Sequence, residues 1–253
     1  MKLYIITGAS RGLGAALAEA LIDPQHRLIC MARSKAPLVA LRQRAKAQGC
    51  RVAALAVDLG DTKKAAAALQ KALAGIDPAT CSEACLINNA GGVEPIAPAD
   101  KLLPKDIASG VQVNLAAPMA LTAVFLRLTA NWRKVSRKVL NISSGAAHKA
   151  YAGWSMYSAT KAALDQFTRC VALEQQSRPN GARIVALAPG TIDTAMQTSI
   201  RKTSKKDFAE KPRFVALKKA GQLTSPAEAA QRLLRYLERP DFGDKPVDDV
   251  RKV

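Results

Sequence analysis

The stretch Tyr4-Ile5-Ile6-Thr7-Gly8-Ala9-Ser10-Arg11-Gly12-Leu13-Gly14 decides the fold. A strand-sized apolar run ends in Thr-Gly, and three glycines follow at the spacing G-x-x-x-G-x-G. Residues 12–22 then carry Leu13, Ala16, Leu17, Ala20 and Leu21 at the three-to-four spacing of a helix face. A glycine-rich turn from strand to helix lets backbone N–H groups approach a pyrophosphate. It also aims a helix N-terminus, worth about half a positive charge, at that group. Such turns also occur without a nucleotide, so the rest of the chain must decide.

Outward from this turn the pattern is alternation. Short apolar runs at 3–7, 27–32, 52–57, 84–88, 138–142 and 184–188 are separated by helical patterns at 12–22, 38–48, 62–74, 104–130, 155–176 and 226–237. The last begins with Ser225 as N-cap and Pro226 at the first helical position. Strands separated by helices predict an α/β fold: a doubly wound parallel sheet with helices on both faces, as one domain over 1–253. Ligands of such sheets bind beyond the carboxyl ends of the strands.

The residues after each strand therefore carry the functional reading. After the second comes Met31-Ala32-Arg33-Ser34, with no Asp or Glu to accept from an adenosine ribose. Arg33 there and Arg11 in the glycine turn suit a 2′-phosphate, which a guanidinium binds bidentately. The cofactor expected is NADP(H); the plainer alternative is two solvated arginines. The third strand ends in Val57-Asp58-Leu59, the fourth in Asn88-Asn89-Ala90-Gly91, and the fifth in Asn141-Ile142-Ser143-Ser144-Gly145. Tyr157 and Lys161 then stand four apart on one helix face. A phenol titrates near pH 10, and an ammonium one turn away is expected to lower that value. The sixth strand ends in Pro189-Gly190-Thr191-Ile192-Asp193-Thr194, where amides and the Thr194 hydroxyl can meet a carboxamide and phosphates.

Composition removes other classes. The 253 residues are 49% hydrophobic, and no uninterrupted apolar stretch suggests a membrane span. Lys and Arg number 38 against 20 Asp and Glu, a net charge of +18. That balance can signal nucleic acid, but aromatics are only 4% and no binding signature is present, so a basic solvated surface is expected. Cys30, Cys50, Cys81, Cys85 and Cys170 are odd in number and scattered, and His26 and His148 are the only histidines. Free thiols in a cytoplasmic protein are expected, with no metal site. The start lacks a signal peptide pattern.

Together these motifs resemble the short-chain dehydrogenase/reductase family, with its Rossmann-type fold, over residues 1 to about 237. The resemblance implies Tyr157 as general acid, Ser144 as carbonyl-polarising donor, Lys161 as ribose anchor and Asn114 as a link in a proton relay. It implies a cofactor set of Gly8, Ser10, Arg11, Gly12, Leu13, Gly14, Arg33, Ser34, Asp58, Leu59, Asn89, Ala90, Gly91, Tyr157, Lys161, Pro189, Gly190, Ile192 and Thr194. Tyr151-Ala152-Gly153-Trp154, 192–197 and 217–226 further resemble the sepiapterin reductase and benzil reductase branch, whose members reduce 1,2-diketones with NADPH. The expected activity is NADPH-dependent reduction of a small-molecule carbonyl. A dinucleotide-sensing regulator without turnover is the alternative.

On the substrate side, Tyr151, Trp154 and Met196 are expected to line the pocket. Residues 195–220, with eight basic and two acidic residues, are expected to form a lid. Asp248 matches the place of the acid that holds the pterin in the sepiapterin branch. The family often ends in a seventh strand, but Pro246 and the acids at 244, 248 and 249 make a poor central strand here. A homodimer through the 104–130 and 155–176 helical regions is expected.

Overall fold

The computed structural model describes residues 1–252. Seven strands form one parallel sheet: β1 (Lys2–Thr7), β2 (His26–Ala32), β3 (Arg51–Ala56), β4 (Glu83–Asn88), β5 (Ser136–Ile142), β6 (Arg183–Ala188) and β7 (Val247–Asp249). Their order is β3-β2-β1-β4-β5-β6-β7. The chain winds outward from β1 to β3 and returns to lay β4 beside β1, so the order reverses between β1 and β4. A crevice opens at the carboxyl ends of those two strands.

Period-two alternation explains the burial. Tyr4 and Ile6 of β1 join one core cluster and Leu3 and Ile5 the other, because successive side chains point to opposite faces and both faces are covered. On one face lie α1 (Gly12–Ala20), α2 (Lys35–Ala47) and α9 (Pro226–Leu237). On the other lie α3 (Thr62–Ala74), α5 (Ala117–Leu128) and α6 (Ser155–Gln176), with α4 (Pro104–Val111) leading into α5. The N-cap of α9 is the expected one: Ser225 Oγ accepts from Glu228 N at 3.2 Å, and Glu228 Oε2 accepts from Ser225 N at 3.0 Å.

Two expectations need correction, and one segment gains detail. A seventh strand does form, three residues long at the sheet edge, parallel to β6. Ala186 N donates to the Pro246 carbonyl at 2.8 Å. A proline lacking N–H is tolerated there because the pairing uses only its oxygen. Residues 195–220 fold into α7 (Ala195–Lys202) and α8 (Lys211–Lys219). Finally, the helical stretch Pro104–Leu128 is long and apolar enough, by length and composition, to cross a membrane. Its Ala117, Leu121, Val124 and Phe125 are instead buried in the core against the sheet.

That stretch is not one regular helix. Gln112–Ala116 form a π-helical turn, in which Ala117 N–H reaches back to the Gln112 oxygen. Pro118 has no N–H for the bond to Asn114 four residues earlier, so the ladder re-registers there.

Candidate active site

The glycine turn fits a dinucleotide. Gly8 and Gly12 have φ of 70° and 54°, left-handed values that glycine adopts without strain. A Cβ on Gly14 would collide with the Gly8 carbonyl oxygen and with Asn89 Nδ2. Thr7 fixes the neighbouring turn: its Oγ1 accepts from Asn89 N and Ala90 N, both at 3.0 Å, while Asn89 Nδ2 donates to Thr7 O at 2.9 Å. Thr194 meets the same cradle, since a Cβ on Gly12 would lie 3.3 Å from its Cγ2. The turns after β1, β4 and β6 thus meet at the start of α1.

Arg11 and Arg33 are exposed and enter no ion pair among the described residues. Ser34 beside Arg33 is exposed and makes no side-chain cap. Asp58 Oδ1 accepts from Gly60 N at 2.9 Å in a tight turn, and Leu59 is buried in the core beside it. Ile192 is buried too and bridges to Thr224.

The centre of the site lies where β5 ends and α6 begins. Lys161, only 4% exposed, donates from Nζ to the Ile142 carbonyl at 2.8 Å. Its ammonium sits 5.9 Å from the centroid of the Tyr157 ring and close to Gly91, where a Cβ would lie 3.6 Å away. Burial pulls the Lys161 ammonium down to about 8, with Asp165 pulling it back up. Tyr157 is also buried. Burial pushes its phenol up, and a hydrogen bond with Ser144 pulls it down. The expected lowering of the phenol by Lys161 is not seen: burial sets the net shift upward, and the opposing contact is Ser144. Ser144 Oγ also accepts from Ala146 N at 3.2 Å, which orients it at the strand end.

Asn114 sits in the π-helical turn and is 1% exposed. Its Oδ1 accepts from Gly92 N and its Nδ2 donates to Gly92 O, both at 2.8 Å, with Thr160 Oγ1 at 3.3 Å. The turn thereby ties α6 to the segment after β4. Sequence reasoning did not single out a second buried group. Ser143 Oγ donates to Asp165 Oδ1, and His148 Nε2 lies 3.2 Å from Asp165 Oδ2. Asp165 is four residues beyond Lys161 on the same helix face, the spacing that could have flagged it.

On the substrate side an aromatic cluster covers Tyr157. Trp154 stacks on Phe208 at 4.7 Å and meets Tyr157 edge-on at 5.6 Å, while Tyr151 packs against Trp154 at 5.1 Å. Met196 packs against the same cluster, which also takes in Ile200 and Phe214. The 195–220 segment lies against Gly153, whose φ is 88° and whose Cβ would collide with the Asp207 carbonyl oxygen. Lys101 Nζ holds Asp207 at 2.6 Å. Asp248 is engaged elsewhere: its Oδ2 accepts from Tyr236 Oη at 3.1 Å and its Oδ1 from Asp249 N at 2.9 Å. No group of His, Cys, Asp and Glu suited to a metal is found among the described residues.

This arrangement gathers a dinucleotide cradle, a hydroxyl–phenol pair and a buried ammonium at one crevice. Comparisons with known proteins agree with it. Residues 2–205 match the profile of the short chain dehydrogenase family. The chain is 38% identical to a benzil reductase ((S)-benzoin forming) of Bacillus cereus over 242 residues, 96% of each chain. It is 34% identical to the sepiapterin reductase of Rattus norvegicus, covering 94% of this chain and 92% of that one. Among solved structures, KRED1-Pglu superposes with a TM-score of 0.83 at 28% identity, covering 97% of this chain and 99% of that one. A short-chain dehydrogenase from Sphingobium yanoikuyae, in complex with NADPH, gives 0.77 at 25% identity over 98% and 87%.

Proposed function

The chain belongs to the short-chain dehydrogenase family, in the branch of the benzil and sepiapterin reductases, and from that premise we propose that it is an NADPH-dependent carbonyl reductase acting on ketones and 1,2-diketones. The single observation that carries this reading is the convergence of Ser144, Tyr157 and Lys161 beside the glycine cradle.

The bound dinucleotide supplies the hydride. Gly8, Gly12 and Gly14 leave room for its pyrophosphate, and Arg11 and Arg33 offer guanidinium groups to a 2′-phosphate. Ser144 donates to the carbonyl oxygen and stabilises the charge that develops on it. Tyr157, kept protonated by burial, gives its proton to the same oxygen. Lys161, fixed on the Ile142 carbonyl, anchors the ribose and holds a positive charge near the phenol as it ionises. Asn114 holds the π-helical turn against Gly92 and Thr160 and so extends the polar path behind Lys161. Trp154, Tyr151 and Met196 supply an apolar wall suited to an aromatic ketone.

The 195–220 segment acts as a lid in this reading, closing on the pocket when ligand binds. A homodimer is part of it too. Leu103 just before α4, Ile107 of α4, Met119 of α5 and Leu173 of α6 are exposed apolar side chains on the faces expected to pair. Five free cysteines suit a cytoplasmic setting.

The test is oxidation of NADPH by the purified protein with benzil and a panel of aryl diketones and monoketones, repeated with NADH. Carbonyl-dependent consumption of NADPH in preference to NADH is expected. Binding of NADPH without turnover on any member would favour a dinucleotide sensor.

A further inference from the structure

The C-terminal segment brings a cation to the cleft at a place where sequence resemblance leads one to expect an anion. Strand alternation puts Asp248 and Asp249 on opposite faces of β7. Asp248 is turned to α9, where Tyr236 occupies it. Asp249 is turned to Arg251: its Oδ1 accepts from Arg251 Nε at 2.9 Å and its Oδ2 from Nη2. Both carboxylates already have partners within the chain. What the segment offers instead is a guanidinium locked by a fork of two bonds, with Nη1 taking no acceptor among the described residues.

The position of that guanidinium is the second observation. Arg251 lies across the two turns that frame the site. A Cβ on Gly190, after β6, would be 3.5 Å from Arg251 Cδ, and one on Gly145, directly after Ser144, would be 3.9 Å from Arg251 Nη2. The side chain thus lies within contact distance of both turns. Further cations surround Tyr151 at the same end. Arg213 Nη1 donates to Tyr151 Oη at 3.2 Å, and Lys149 Nζ lies 5.3 Å from the ring centroid. Glu210 approaches Arg213 only at 3.7 Å, and Lys149 has no acidic partner among the described residues.

A separate opening carries acidic groups. A cavity of about 540 Å³ there is lined by Glu94, Pro95, Ile96, Asp106, Ser109 and Thr203, and Ile96 belongs to the cluster around Tyr157. A substrate with a negative group is attracted to the guanidinium and ammonium groups gathered around Tyr151 and Arg251.

We propose that Arg251 is a specificity-determining residue that selects carbonyl substrates bearing an anionic group, above all a carboxylate, next to the reacting carbonyl. The inference rests on the reductase reading and narrows it to 2-oxo acids. The balanced step is hydride to the carbonyl carbon and a proton to its oxygen, giving the 2-hydroxy acid and oxidised dinucleotide. The carboxylate is unchanged and held by the guanidinium.

The experiment compares benzoylformate with its neutral methyl ester and with benzil, in the parent and in Arg251→Gln, Arg251→Lys and Asp249→Asn. Arg251→Gln is expected to lower the acid-to-ester ratio of kcat/KM by about tenfold or more, through KM for the acid. Arg251→Lys is expected to fall in between, because it keeps the charge and loses the fork. Asp249→Asn, which unlocks the guanidinium, should also lower the ratio. An unchanged ratio in Arg251→Gln, or equal loss on acid and ester, would overturn the proposal while leaving the reductase reading intact. A parent that reduces none of the three compounds would contradict the reductase reading, and this inference with it.

Discussion

Lys161 Nζ reaches the Ile142 carbonyl oxygen at 2.8 Å and thereby fastens α6 to the last residue of β5. One bond sets the distance between the two elements of the candidate site, since Ser144 follows Ile142 by two residues and Tyr157 precedes Lys161 by one helical turn. It also holds an ammonium in a place where burial lowers its pKa to about 8.

A pH dependence follows. Below pH 8 Lys161 carries its charge. Above it the ammonium empties while burial keeps Tyr157 protonated. The kcat/KM for NADPH, which reports the free enzyme, is expected to fall as pH rises through about 8. A profile flat to pH 10 would contradict the placement of a working ammonium there.

The same group costs stability. The unfolded chain holds this proton to near pH 10.4, whereas the folded one releases it near 8. More protons are bound by the unfolded state between those values, so folding stability contributed by Lys161 rises with pH across that window. Lys161→Met should remove this slope and raise stability at neutral pH by on the order of 1–3 kcal/mol, seen as a higher Tm, while abolishing reduction. Equilibrium unfolding at pH 7 and pH 10 checks both; a lower Tm at pH 7 would contradict the cost.

Arg33→Ala tests the cofactor. The guanidinium is exposed and unpaired among the described residues, so its removal disturbs no protein contact. KM for NADPH is expected to rise about tenfold or more, as loss of a charge-assisted phosphate contact implies, with NADH little changed. Equal use of the two cofactors by the parent would contradict the reading of Arg11 and Arg33.

Gly153→Ala tests the lid. The new methyl group would strike the Asp207 carbonyl oxygen at a residue whose φ is 88°. Faster amide exchange over 195–220 and a higher KM for the carbonyl are expected, with NADPH binding retained. Unchanged exchange in that segment would show that Gly153 does not hold the lid.

The fold was legible wherever periodicity and caps agreed. The helices at 62–74, 155–176 and 226–237 match the bounds of the sequence pattern, and the last starts where it does because Ser225 and Glu228 form a capping box. The edge strand Val247–Asp249 was not legible, because a strand paired on one side tolerates Pro246 and acids that a central strand would not. Helices α7 and α8 hide in a run of lysines, and what folds them is long-range: Phe208 and Phe214 packing on Trp154. In the site, the strand ends told where Ser144, Tyr157 and the glycines would meet. Two features depended on the third dimension. Asp165 reaches Ser143 only across α6 and β5, and Asp248 is captured by Tyr236 from another helix. The sign of the phenol shift was also hidden, because it depends on how completely Trp154 and its neighbours bury Tyr157.

In the proposed reaction Tyr157 gives the proton in a carbonyl reduction driven by NADPH. The most direct measurement is single-turnover oxidation of bound NADPH by benzil in the parent and in Tyr157→Phe, with NADPH affinity read separately by fluorescence. Loss of the phenolic proton should slow the step by about a hundredfold or more, with affinity for NADPH nearly intact because the cradle is untouched. Near-parental turnover in Tyr157→Phe would contradict the account.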